Sequence, residues 1–258
     1  MTDPPSSAEA GAATFEDTRL DRRAAAFFDM DKTLIAENSG SIYLRKRFRN
    51  GEVGVSILAT SLSAYLRYKM GILDASESTQ ALMSGLRGRL ESELVDEGRT
   101  LCEKEIVPLI YPAAAAAVRL HQERGDLVCV VSGSMGFVVE PLAAHLAIEH
   151  TVCSQVEIRD GRFTGELVKP LCFEEGKLYW LQEFIERHGI DLARSWFYTD
   201  SVTDRPLLEK VGHPVAVNPD PRLYQLARRR GWPVRLFNLD QRAPDPSPSG
   251  PEAQSRGL

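Results

Sequence analysis

Four short stretches of this chain carry side chains whose types and spacing suit chemistry on a metal or a phosphate. Asp29-Met30-Asp31-Lys32-Thr33-Leu34 sets two carboxylates two residues apart. Two acids held that close repel, and a divalent cation offsets the repulsion. A donor set made of oxygen with few side chains suits Mg²⁺ rather than Zn²⁺. The same pair also suits a helix N-terminus, where acids are common, and on these two residues alone the readings stand level. Asp200-Ser201-Val202-Thr203-Asp204 repeats the theme at a spacing of four, which puts both carboxylates on one face of a helical turn. Its simpler reading is an N-cap followed by a first-turn acid. Two such clusters together would be hard to keep ionised without a cation. Ser132-Gly133-Ser134 offers backbone N–H groups and hydroxyls for an oxyanion, although small residues after a strand commonly just turn the chain. Lys177 follows Gly176. Nearly all lysines are solvated, and only the company of the other clusters makes this one a partner for carboxylates and a phosphate.

These residues need elements to bring them together. Short apolar runs at 24–28, 127–131, 196–199 and 214–217 read as core strands. Asp29 and Asp31, Ser132, and Asp200 with Asp204 each follow the end of one of them. Helical patterns cover 112–124, opened by Pro112 and closed by Gly125, then 177–188, closed by Gly189, and 222–230. Residues 156–167 hold two alternating runs around Asp160-Gly161, a hairpin signal. The alternation predicts an α/β fold with a parallel sheet, whose ligands sit outside the carboxyl ends of the strands. Residues 37–108 are mostly helical in pattern and too long for a plain crossover, so they read as an inserted lobe above that edge. The expected division is a core of 23–36 and 109–240, a helical lobe of 37–108, and disordered tails at 1–22 and 241–258, both poor in residues to bury.

Composition narrows the function classes. Of 258 residues, 31 are Lys or Arg and 36 are Asp or Glu, so the net charge of −5 gives no global attraction to nucleic acid or anionic lipid. Cys102, Cys129, Cys153 and Cys172 are scattered without a CxxC pair, which argues against a zinc module or disulfide framework and for a reducing compartment. No run reaches the roughly 18 apolar residues of a membrane span, and the N-terminus lacks a secretory pattern, so cytoplasm is expected. Two basic clusters, Arg45-Lys46-Arg47-Phe48-Arg49 and Arg228-Arg229-Arg230, read as solvated helix faces; a nucleic-acid or membrane surface is the competing reading. The apolar stretch 53–68 reads as the core of the inserted lobe or as an oligomer contact, as in a homodimer. His121, His145, His150, His188 and His213 show no ligand spacing and read as structural.

DMDKTL, SGS, EEGK and DSVTD, in that order, resemble the four motifs of the haloacid dehalogenase superfamily. Within it the chain is similar to the phosphoserine-phosphatase-like branch, subfamily IB, through DGRFTGEL at 160–167, PLLEKVG at 206–212, AVNPDPRL at 216–223 and GWPV at 231–234. The likeness covers residues 24–236. The resemblance implies a Rossmann-like core, a helical cap of the C1 type inserted after the first motif, and a Mg²⁺-dependent phosphatase acting on a small phosphate monoester. It implies Asp29 as the nucleophile that forms an aspartyl-phosphate, and Asp31 as the acid and then the base. It places Ser132, Gly133 and Lys177 on the phosphoryl oxygens, and Asp29, Asp31 (through its carbonyl) and Asp200 on the metal. Asp204 then orients Lys177 or metal-bound water, and Thr33 supports the first loop. Phosphoserine phosphatases usually carry Glu nine residues after the nucleophile, where this chain has Asn38, with Glu37 one earlier; Thr203 stands where Asn is frequent. Both departures concern substrate choice, and histidinol phosphate stands beside phosphoserine. Arg67, Tyr68, Arg87 and Arg89 are cap side chains that either face the site or lie on a solvated helix face. A phosphotransferase using the same residues, and a non-catalytic phospho-ligand or membrane-associated module, are the alternatives.

Overall fold

The computed structural model describes residues 22–55, 79–80, 83 and 85–240. Arg67, Tyr68, the apolar stretch beyond Val55 and nearly all of both tails lie outside them.

Among the described residues a six-stranded parallel sheet has the order β3-β2-β1-β6-β7-β8. Its strands are β1 (Ala25–Phe28), β2 (Leu127–Met135), β3 (His150–Ser154), β6 (Trp196–Thr199), β7 (His213–Val217) and β8 (Val234–Arg235). The separate antiparallel pair is β4 (Val156–Arg159) and β5 (Arg162–Leu167). β1 is buried throughout, as a central parallel strand covered on both faces must be. Its side chains alternate between two cores: Ala26 and Phe28 join Leu34, Val130 and Leu142, while Ala25 and Phe27 join Val131, Leu181 and Phe197. The first core continues into the inserted segment through Ile42, Leu94 and Leu101.

Helices among the described residues include α1 (Ser39–Arg49), α2 (Glu91–Leu101), α3 (Pro112–Glu123), α4 (Gly136–His145), α5 (Glu175–His188), α6 (Arg205–Leu208) and α7 (Pro221–Arg230). A π-turn at Cys102–Ile106 and a 3₁₀ turn at Val107–Leu109 lead back to the core. The segment leaves and re-enters side by side: Ala36 N–H donates to Leu109 O at 2.9 Å and Tyr111 N–H to Leu34 O at 3.0 Å. The hairpin turn at Asp160 and Gly161 has φ of 51° and 69°, as a two-residue turn between right-twisted strands requires. This hairpin docks on the inserted segment through Gly88 N–H to Phe163 O and Glu91 N–H to Gly161 O.

The structure corrects the sequence reading in three places. β2 does not end at Val131: it runs on through Ser132, Gly133 and Ser134 to Met135, with its register against β3 shifting between Ser132 and Met135. β3 and β8 are strands that no apolar alternation announced, because β3 is a partly exposed five-residue strand and β8 has only two residues. Asp200 and Asp204 do not share one regular turn either. Asp200 precedes a 3₁₀ turn at Val202–Asp204, and Ser201 caps that turn by accepting from Thr203 N–H.

Candidate active site

The sheet order reverses direction at β1, with β2 and β3 on one side and β6, β7 and β8 on the other. A crevice forms outside the carboxyl ends of the strands at such a point. Asp29 follows β1 and Asp200 follows β6, its hydrogen-bonded neighbour. Asp29 N–H donates to Tyr198 O at 2.9 Å, which carries the sheet pairing on to Asp29.

Lys177 is buried in the first turns of α5 and bridges two acids: Nζ lies 2.7 Å from Asp29 Oδ1 and 2.7 Å from Asp204 Oδ2. Thr199 Oγ1 donates to the same Asp204 oxygen at 2.6 Å. Gly176 lets α5 start this deep, since a Cβ there would lie 1.8 Å from Leu171 O. Burial works against the Lys177 charge, but the ion pairs with Asp204 and Asp29 outweigh it and hold its pKa above the ordinary lysine range. Burial pushes the Asp29 carboxyl well above its usual range; Lys177 pulls it down, while Asp204 and Asp200 push it up.

Asp31 is held at both oxygens. Ser39 N–H donates to Oδ1 at 2.9 Å, Asn38 Nδ2 to Oδ2 at 2.9 Å, and Ser134 Oγ to Oδ2 at 3.3 Å. Burial raises its pKa, and the bonds from Ser39 and Ser134 moderate the rise. Ser132 Oγ accepts Ser134 N–H at 3.1 Å, and Gly133 makes room for Phe173, whose ring would lie 2.0 Å from a Cβ. Thr33 is fully buried, and its hydroxyl has no hydrogen-bond partner among the described residues.

Asp29, Asp200 and Asp204 are buried with one ammonium among them, so the negative charge exceeds the positive. Among the described residues no three His, Cys, Asp or Glu side chains are grouped to hold a metal ion. Two buried oxygen donors, the carboxylates of Asp29 and Asp200, suit Mg²⁺, which takes one or two carboxylates and otherwise water or phosphate, and do not suit zinc.

The structure thus gathers Asp29, Lys177 and Asp204 directly, with Asp200 close enough to act on the Asp29 charge. Ser132, Gly133 and Ser134 lie in the last residues of β2, and Ser134 reaches Asp31. Arg87 and Arg89 pair elsewhere, Arg87 with Glu166 at 2.9 Å and Arg89 with Glu97 at 2.8 Å. Asn38 and Ser39 escaped the sequence reading as partners of Asp31, although an Asn before a helical pattern is an N-cap signal. Asp220 escaped it too. Its Oδ1 caps α7, its Oδ2 accepts Val202 N–H at 2.9 Å, and its N–H donates to Asp200 O at 2.8 Å, bracing the Asp200 loop. The Asp-Pro pair opening α7 was its signal.

The basic cluster at 45–49 is neutralised locally. Arg45 pairs with Glu37, Lys46 with Glu97, Arg47 with Glu52 and Arg49 with Glu105. This weakens the reading of the 45–49 cluster as a nucleic-acid or membrane surface. No helix among the described residues is long and apolar enough to cross a membrane.

Residues 26–209 match the family model of the haloacid dehalogenase-like hydrolases. A histidinol-phosphatase of Neisseria meningitidis serogroup C is 32% identical over 82% of this chain and 98% of its own. A phosphoserine phosphatase of Mycobacterium tuberculosis is 30% identical over 91% of this chain and 77% of its own. A protein of unknown function from Bordetella pertussis Tohama I has a crystal structure that matches at a TM-score of 0.76, with 32% identity over 84% of this chain and 99% of that one. The sheet order, the acids at its carboxyl edge and these likenesses agree: the chain belongs to the haloacid dehalogenase-like hydrolase family, among its phosphatases.

Proposed function

We propose that the chain is a Mg²⁺-dependent phosphomonoesterase working through an aspartyl-phosphate on Asp29. The observation that carries the proposal is the buried Lys177 ammonium shared by Asp29 and Asp204 at the carboxyl edge of the sheet. Residues 37–108 are proposed as the cap over this edge, and 23–36 with 109–240 as the core.

A carboxylate attacking a phosphate dianion meets charge repulsion, and this chain supplies the means to offset it. Lys177 and the donors of Ser132 and Gly133 take the phosphoryl oxygens. Asp204 and Thr199 hold Lys177 on line, and Thr33 supports the loop that carries Asp29. A Mg²⁺ ion, held by the carboxylates of Asp29 and Asp200 and the carbonyl of Asp31, supplies further neutralisation of developing charge when bound. Asp29 attacks phosphorus, so its O–P bond forms as the ester O–P bond breaks. Asp31 gives its proton to the departing alkoxide. It then takes a proton from the water that attacks the aspartyl-phosphate, which frees inorganic phosphate and restores Asp29.

The substrate is proposed as a small phosphate monoester of the histidinol phosphate or phosphoserine kind, the substrates that the names of the two relatives indicate. Asn38 is committed to Asp31 and Glu37 to Arg45, so neither stands ready to take a substrate ammonium in this state. Four buried thiols fit a cytoplasmic setting. A homodimer is proposed through the lobe's apolar stretch.

The test is phosphate release from a panel holding L-histidinol phosphate, L-phosphoserine, sugar phosphates, nucleotides and lysophosphatidate, with Mg²⁺ and with EDTA. Release that needs the metal and prefers one ester supports the reading. No release, with Mg²⁺ binding intact, moves the assignment to phosphoryl transfer or ligand binding.

A further inference from the structure

Asn38 lies between two jobs that orient its amide. Its Oδ1 accepts Ser41 N–H at 3.0 Å, capping α1, so its Nδ2 must face the other way, where it meets Asp31 Oδ2 at 2.9 Å. Helix N–H groups can only donate and a carboxylate can only accept, so the amide cannot be turned round. Ser39, the next residue, donates its N–H to the other Asp31 oxygen. Its hydroxyl lies 2.6 Å from Ser134 Oγ, which itself reaches Asp31. Asp31 therefore sits where the start of the inserted segment meets the end of β2, tied to both.

We propose that Asn38, with Ser39 and Ser134, is a positioning residue that aims the Asp31 carboxyl at the leaving-group oxygen, and does so only while the N-terminus of α1 is seated against β2. The proposal rests on the reading of Asp31 as the proton donor. Asn38 bonds to the acid, so its loss blunts proton delivery without weakening the grip on the phosphate. An ester whose leaving group needs no proton is then spared, and one that needs a proton is not. The joint also makes proton delivery depend on the seating of the segment, because two of the three donors belong to it.

The experiment compares kcat/KM on phenyl phosphate and p-nitrophenyl phosphate for Asn38→Ser, Ser134→Ala and Asp31→Asn, with the melting temperature of each variant. Ser keeps the N-cap but cannot also reach Asp31, so Asn38→Ser melts close to the native protein. Its kcat/KM falls about 10- to 100-fold on phenyl phosphate and less than about 3-fold on p-nitrophenyl phosphate. Ser134→Ala shows the same signature more weakly, and carries the test if Asn38→Ser fails to fold. An equal loss on both esters overturns the proposal and leaves Asn38 as an N-cap only. A rise in KM alone on both overturns it in favour of substrate contact. Asp31→Asn separates the two claims. If it discriminates between the esters and Asn38→Ser does not, the positioning role fails alone. If it does not discriminate, Asp31 is not the proton donor and the positioning role falls with that reading.

Discussion

Lys177 carries its charge into a buried site where three acids outnumber it, and its two 2.7 Å contacts are what make that burial tolerable. Taking one partner from a buried ion network strands the others. Lys177→Met is therefore expected to lower stability by about 3–5 kcal/mol in metal-free buffer, read by urea unfolding. A loss below about 1 kcal/mol would mean that Lys177 sits in a solvated pair instead. Asp29→Asn removes the proposed nucleophile while leaving an amide oxygen for Lys177. It is expected to abolish phosphate release and leave the circular dichroism spectrum unchanged; full activity in that variant would take Asp29 out of the nucleophile role. Asp29 and Asp200 were legible in the chain because each directly follows an apolar strand. Their partners were not: Lys177 and Asp29 are 148 residues apart, and nothing local encodes the bond.

At the scale of elements, the joint between the inserted segment and the core depends on one close approach. Gly98 of α2 faces the carbonyl of Phe137 at the start of α4, and a Cβ there would lie 1.7 Å from that oxygen. Ala is the better helix former by roughly 1 kcal/mol, so propensity alone predicts that Gly98→Ala stabilises. The obstacle is backbone and cannot swing aside, so overpacking wins. The variant is expected to lose about 1–3 kcal/mol in urea unfolding, and a gain would show that α2 and α4 do not pack this tightly. α3, α5, α7 and the hairpin were legible because Pro, Gly and Asp-Gly mark their ends. The continuation of β2 through Ser132 and Gly133 was not, since small residues usually turn a chain and here extend a strand instead. Gly133 is small because Phe173 packs on it, a contact from across the fold.

At the scale of the whole molecule, a buried network away from the carboxyl edge ties sheet to helix and should set the acid limit of stability. His121 Nδ1 lies 2.8 Å from Asp126 Oδ2, and Nε2 lies 2.9 Å from the Tyr198 hydroxyl. A carboxylate only accepts, so Nδ1 carries the proton and Nε2 accepts from the tyrosine, which satisfies every group with a neutral ring. Burial pushes the His121 pKa down, against the pull of Asp126. The unfolded chain then binds the extra proton more readily, so the stabilisation is complete above the unfolded value of about 6.5 and is lost as pH falls through the lowered folded value. Unfolding free energies at pH 7.5 and 5.5 should differ more for the native protein than for His121→Gln. Equal differences would show that the ring titrates as freely as in the unfolded chain.

The amino-acid sequence by itself determined the kind of chemistry and four of the core strands that carry it. Both rest on local patterns: strand then acid, helix then glycine, and four motifs in one order. Only the tertiary structure decided who holds whom. It set Lys177 between Asp29 and Asp204, sent the Asn38 amide to Asp31, and paired the charges at 45–49 with acids of the inserted segment. The physical reason is that a hydrogen bond depends on distance in space. Strand order and the seating of α1 against β2 fix that distance between residues far apart in the chain.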